Sequence, residues 1–394
     1  MRMGPRYERR PDVVGECSRR TLWRMRRLVL VAVAAIAVAA CSNGPDDPVV
    51  VARDVTGITD PSDSPVEPTP SDPVVPLDYT IEWSPLNDRV DEGRITVPVD
   101  YADPQGDTID LYVARHRASN EAVGPMLSNR GGPGAEGVSL ALNATSYFEP
   151  EITDNFDIIG WDPRGTGQSE GVVDCIDDDE YDRFFANYDV TPDDQAERDV
   201  VVTTAEEFAQ RCIDRVDDLQ YVGTNNSARD MDAIRQALGV DQISYFGFSY
   251  GSELGGVWTT LFPTTVRAAV FDGASDPNAD PLEATRQQGA GFEAVLDTFL
   301  AQCSADSSCP FHNDGDAAGA YDRLMTSLDE APLPSADGRP PVDRGIAAIA
   351  TAQAMYSDNY WPAFERALED AASGDGAGLL QLNDAYYGRG PDGT

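Results

Sequence analysis

The sequence predicts an α/β fold built on a mostly parallel sheet covered by helices, and three observations lead there. Short apolar runs alternate with helical periods between residues 94 and 276, the later runs end in glycine-bearing turns, and beyond Pro277 strand patterns give way to helical ones. In sheets of this kind reactive groups gather at the carboxyl ends of strands, so those turns are where function is sought.

The elements before the sheet have a different character. Arg19 to Arg27 form a basic stretch, Leu28 to Ala40 are thirteen uninterrupted apolar residues, and Cys41 follows directly. This pattern reads as a signal peptide over residues 1–40, too short to span a bilayer comfortably. Val38-Ala39-Ala40-Cys41 resembles a bacterial lipobox, in which the Cys41 thiol is diacylated and anchors the mature chain to a membrane. An ordinary signal peptide with an incidental cysteine is the alternative. Ser18-Arg19-Arg20-Thr21-Leu22 also resembles a twin-arginine export signal. Residues 41–76, dense in Pro, Asp, Ser and Val, have neither helical nor strand period and are expected to be a disordered, extended linker.

Residues 77–276 are expected to form the core. Arg94 to Pro98 and Thr108 to Arg115 read as a β-hairpin region, with Ile109, Leu111 and Val113 alternating with Asp110, Tyr112 and Ala114. Further strands are expected at Met126 to Ser128, Phe156 to Gly160, Gln242 to Phe246 and Val266 to Phe271. Helices are expected over Ser227 to Leu238, which stops at Gly239, and Ser252 to Phe262, which stops at Pro263. Residues 277–394 are expected to be a helical cap, with helices at Pro281 to Gln302, Ala317 to Leu328, Gly345 to Met355 and Trp361 to Ala372.

Composition bounds the chemistry. The 394 residues are 41% hydrophobic, enough for one large domain with an insert. All 29 basic residues are arginine and the net charge is −39. The first 40 residues hold nine arginines against Glu8, Asp12 and Glu16, so the remainder carries −45. Such a surface repels polyanions, which argues against a nucleic-acid partner. Apart from Cys17 and Cys41, four cysteines remain, Cys175, Cys212, Cys303 and Cys309. Three pairings are open to them in an oxidising compartment. The short gap between Cys303 and Cys309 favours a local bond and leaves Cys175 with Cys212. A zinc site is a poor fit, because close Cys-x-x-Cys pairs are absent and the chain has two histidines. No metal or cofactor is implied.

Three motifs carry chemistry. Gly247-Phe248-Ser249-Tyr250-Gly251 is a G-x-S-x-G pentapeptide entered from an apolar strand and left by a helix, the sharp turn that exposes a serine Oγ as nucleophile. Asn129-Arg130-Gly131-Gly132-Pro133-Gly134 follows an earlier strand, where Gly131 or Gly132 would supply a backbone N–H to an oxyanion alongside the N–H of Tyr250. Each such donor is worth about 3–4 kcal/mol. Asp162-Pro163-Arg164-Gly165-Thr166-Gly167-Gln168-Ser169 closes the next strand, and its charged pair reads as a buttress for nearby loops.

In this order and spacing the three motifs resemble the prolyl-iminopeptidase and tripeptidyl-aminopeptidase branch of the α/β-hydrolase serine peptidases, over Leu77 to Asp276. The resemblance implies acyl transfer to Ser249, release of short peptides from a free N-terminus, and a helical cap. It also implies an acid and a histidine on loops after two further core strands, and those final strands are missing from the sequence. His116 lies upstream and reads as a partly exposed structural residue; His312 lies in the cap; Asp272 reads as part of a turn. The expectation is an exported, envelope-associated aminopeptidase with nucleophile and oxyanion loop in place and an incomplete triad, inactive as this chain alone. An esterase or lipase of the same fold, and a surface lipoprotein that uses the fold for binding, remain as alternatives.

Overall fold

The computed structural model describes residues 78–186, 192–274, 280–335 and 338–390. The expected signal segment, Cys41 and the linker lie outside these residues.

Seven strands form one sheet: β1 (Ser84–Pro85), β2 (Val90–Pro98), β3 (Thr108–His116), β4 (Gly124–Asn129), β5 (Phe156–Trp161), β6 (Ile243–Phe248) and β7 (Val266–Asp272). The described helices of four or more residues are α1 (Ser139–Leu142), α2 (Ala144–Tyr147), α3 (Pro150–Thr153), α4 (Tyr181–Phe185), α5 (Gln195–Arg215), α6 (Thr224–Ala237), α7 (Tyr250–Leu261), α8 (Pro281–Ala305), α9 (Ala317–Glu330), α10 (Arg344–Met355), α11 (Trp361–Ala372) and α12 (Ala377–Tyr386).

The sheet order is β1-β2-β3-β5-β4-β6-β7. The strands β1, β2, β3 and β5 pair antiparallel in turn, whereas β5, β4, β6 and β7 run parallel. The chain leaves β4 for β5 on one side and later returns to β6 on the other. Connections therefore diverge around the carboxyl end of β4, the place where such sheets open a crevice.

Alternation explains the strands. Ile95 and Val97 of β2, with Leu111 and Val113 of β3, are fully buried on one face. There they meet Ala228, Met231 and Ile234 of α6 and Leu254 and Trp258 of α7 in one apolar cluster. Full burial of a side chain of this size contributes roughly 1.5–3 kcal/mol. Helix α6 begins three residues before the expected start, because Thr224 rather than Ser227 follows the extended Gly223.

Packing divides the described chain into two units. One holds the sheet, through Asp177 and again over Glu206–Ala279; the other joins Asp178–Ala205 to Asp280–Thr394. The expected boundaries keep 178–205 in the core, whereas its packing is with the helical unit. That unit has its own core, which includes Phe299, Leu300, Tyr321, Ile346, Phe364 and Leu379. Its polar counterpart is a cluster in which Arg339 and Arg389 both bond Asp182 and Asp384, with the Arg389 guanidinium 4.5 Å from the Tyr181 ring centre. Disulfides join Cys175 to Cys212 and Cys303 to Cys309. No helix of the described residues is long and apolar enough to cross a membrane.

Candidate active site

Register brings the sequence motifs to one end of the sheet. Asn129 at the end of β4 is opposite Gly247 of β6, and Phe248 is opposite Asp272 of β7. The loops carrying Gly131, Ser249 and Gly273 therefore emerge side by side.

Ser249 stands between β6 and α7 with φ 51° and ψ −124°, a conformation that costs a non-glycine residue about 1–3 kcal/mol. Two backbone bonds hold it there. Its N–H donates to the Asp272 carbonyl at 2.8 Å, and its own carbonyl accepts the Ser252 N–H at 2.8 Å. The residue is exposed. Tyr250 opens α7, so its N–H lies in the first turn, where no intrahelical acceptor exists. Its phenol is fixed by a 2.8 Å hydrogen bond with Thr224 Oγ1, and burial pushes its pKa up, which keeps it protonated at neutral pH.

The glycine loop closes on this turn. A Cβ at Gly131 would lie 2.5 Å from the Phe248 carbonyl oxygen, 3.0 Å from Ser249 Cβ and 3.1 Å from the Tyr250 nitrogen. With φ at 93°, Gly131 also occupies a region that disfavours side chains. Its N–H is already given to Asn129 Oδ1 at 2.9 Å. Of the two expected donors, Gly132 is the one whose N–H has no such engagement. The Gly132–Pro133 peptide is cis.

Behind these loops lie the charged residues of the Asp162 turn. Asp162 is buried, and its Oδ1 accepts the N–H groups of Gly137 and Val138 at 3.0 and 3.1 Å while Oδ2 accepts that of Gln168 at 2.9 Å. Arg164 commits five N–H···O bonds: two to Asp230 and one each to the carbonyls of Pro98, Val99 and Tyr221. Tyr101 adds its hydroxyl to Asp230 Oδ1 at 2.7 Å. Both side chains of the Arg164–Asp230 pair are essentially inaccessible. The geometry is that of a brace.

The histidines are placed elsewhere. His116, expected to be partly exposed, is buried at 5% accessibility, because its strand is flanked by β2 and β5 and covered on that face. Register runs from His116 to Ile158, Met126 and Ser244, five residues below Ser249. That is about 17 Å along the strands, too far for proton transfer to Ser249. Burial, with the nearby Arg89 charge, lowers the pKa of His116 and keeps it neutral. His312 belongs to the helical unit, where its backbone N–H bonds the Cys309 carbonyl at 3.0 Å. Asp272 contributes its carbonyl to Ser249, and Gly273 turns the chain with φ 66°.

Sequence reasoning missed Asn129, Thr224 and Asp230 as supports of this site. Asn129 was legible as the polar residue that ends an apolar strand; the other two act through partners far away in the chain.

A family model described as alpha/beta hydrolase fold matches residues 124–378. The chain is 34% identical over 333 residues to serine protease Hip1 of Mycobacterium tuberculosis, covering 79% of this chain and 64% of that protein. It is 38% identical over 311 residues to carboxylesterase B of the same organism, covering 76% and 58%. Against the tripeptidyl aminopeptidase of Streptomyces lividans it is 35% identical over 224 residues, covering 55% and 41%. The chain thus spans less than two thirds of the length of each of these relatives. With its G-x-S-x-G turn between strand and helix and a family match over 124–378, the chain belongs to the alpha/beta hydrolase fold family.

Proposed function

We propose that this chain carries the nucleophile and oxyanion loop of an exported serine peptidase that releases short peptides from substrates with a free N-terminus. The observation that carries this reading is the approach of Gly131 to Phe248, Ser249 and Tyr250, which brings the glycine loop against a strained, exposed serine. Ser249 Oγ attacks the substrate carbonyl carbon, and the N–H groups of Gly132 and Tyr250 take the charge that develops on its oxygen. A general base must accept the Ser249 proton, and His116 is excluded from that role by its position. The leaving amine departs with a proton, and water then releases the acyl group from Ser249.

The choice of a peptidase rests on the resemblance of the motif trio and on the peptidases among the relatives. The strongly acidic chain favours a cationic amino terminus. Export is supported by the apolar segment before Cys41 and by two disulfides, and acylation of Cys41 would tether the protein to a membrane. The carboxylesterase among the relatives favours a second reading, ester hydrolysis at the same serine.

One experiment separates these readings. The protein, as this chain and carried through its natural reading frame, is treated with a fluorophosphonate probe beside Ser249→Ala. Active forms are then given a tripeptidyl amide, its N-acetylated counterpart and a short acyl ester. Ser249-dependent labelling with turnover of the free amide alone supports the peptidase; turnover of the ester alone supports the esterase. Absence of labelling in both forms overturns the enzyme reading and leaves a binding protein.

A further inference from the structure

We propose that Tyr245 is a positioning residue for the oxyanion donor, acting through a relay of two hydrogen-bonded peptide units that ends at the Tyr250 N–H. The inference rests on the reading of Ser249 as nucleophile and deepens it.

The relay is continuous. Tyr245, on β6, donates its hydroxyl to the Gly251 carbonyl at 2.6 Å. That carbonyl belongs to the Gly251–Ser252 peptide, whose N–H donates to the Ser249 carbonyl at 2.8 Å. The Ser249 carbonyl in turn belongs to the Ser249–Tyr250 peptide, whose N–H is the oxyanion donor. Because each peptide is planar, holding its oxygen fixes the direction of its N–H. All the bonds also point the same way. Each donation draws electron density from the next amide and makes its proton a better donor, by roughly 10–30% per bond in such chains.

The surroundings show that the hydroxyl is specifically accommodated. Tyr245 is 1% accessible, and its ring packs against Trp258 and Phe271 at 5.8 and 6.2 Å between centres. A Cβ at Gly247 would meet Tyr245 Cε1 at 2.7 Å, and one at Gly255 would meet it at 2.3 Å. The slot between β6 and α7 therefore exists only because both flanking positions are glycine. Phenylalanine would fill the same slot without a polar group to satisfy. The hydroxyl is thus dispensable for packing, and the one acceptor it meets is the carbonyl that starts the relay.

The test is the rate of fluorophosphonate labelling of the protein and of Tyr245→Phe, resolved into a maximal rate and a half-saturating concentration, with Ser249→Ala as blank and thermal melting as a check on folding. The expected result is a maximal rate about tenfold lower with the half-saturating concentration unchanged, since the donor is weakened only where charge develops. Equal maximal rates in the folded variant overturn the relay and leave the serine reading intact. Labelling that persists in Ser249→Ala, or is absent from the parent protein both as this chain and carried through its natural reading frame, overturns the serine reading and the relay with it. If Tyr245→Phe does not fold, 3-fluorotyrosine placed at position 245 decides: a faster maximal rate from this more acidic hydroxyl supports the relay, and an unchanged rate overturns it.

Discussion

Gly131 approaches Phe248 so closely that a methyl group on its Cα would lie 2.5 Å from the Phe248 carbonyl oxygen. The contact involves backbone on both sides, so no side chain can turn away to relieve it. Gly131→Ala must therefore displace either the loop after β4 or the turn at Ser249. The expected outcome is labelling at Ser249 at least about a hundredfold slower, the scale of losing an oxyanion donor, measured with the fluorophosphonate probe.

The neighbouring glycines of α7 give an internal contrast. A Cβ at Gly255 would collide with Tyr245 and Phe271, whereas one at Gly256 meets nothing within 4 Å. Gly256→Ala should leave labelling unchanged and raise stability by up to about 1 kcal/mol through helix propensity. Gly255→Ala should lower stability and activity together. Urea unfolding of the pair, read beside labelling rates, checks both.

Asp162 serves three backbone N–H groups with two carboxylate oxygens. In Asp162→Asn one oxygen becomes an amide that confronts an N–H with another donor. Leaving buried donors unmet costs about 1–3 kcal/mol, so a loss near 3 kcal/mol is expected in urea unfolding. Labelling should slow as well, since Gly137 and Val138 continue the loop that holds Gly132.

His116 makes stability depend on pH in the neutral range. Its folded pKa is depressed by burial and by Arg89, while Arg117 adds to that effect and Asp157 opposes it. The folded protein therefore prefers the neutral ring. The stability this provides is complete above the unfolded value near 6.5 and is lost as pH falls from there toward the lower folded pKa. His116→Gln should flatten the stability profile between pH 7 and 5, as thermal melts across that range would show.

Much of this architecture was legible in the sequence, for identifiable reasons. The strands from β2 to β7 announce themselves by alternation or by apolar runs that end at glycine, and the Ser249 turn by its pentapeptide. Pairing by residues remote in the chain is a different matter. Asp230 reads as one polar residue of an amphipathic helix until Arg164 and Tyr101 meet it, and Thr224 reads as a residue ahead of that helix until Tyr250 meets it. His116 looked half exposed because its strand carries Asp110 and Tyr112 on the same face; the covering supplied by α1 follows from tertiary packing. Helix α5 left no expectation at all, because its apolar residues do not gather on one face and several, such as Val200, Val202 and Ile213, face solvent.

The five bonds of Arg164 also decide which parts of the site can move. One guanidinium fastens the end of β2, the Tyr221 turn and α6 to the strand end that bears Asp162. Opening that junction means breaking all five bonds together, since the planar group cannot release one neighbour by rotation without losing the rest. The floor behind the glycine loop therefore behaves as a clamp, not a hinge. Its amides, those of Gly137, Val138 and Gln168 among them, belong with the last in the sheet unit to exchange with deuterium, and the motions that admit and release a ligand fall to segments outside its grip.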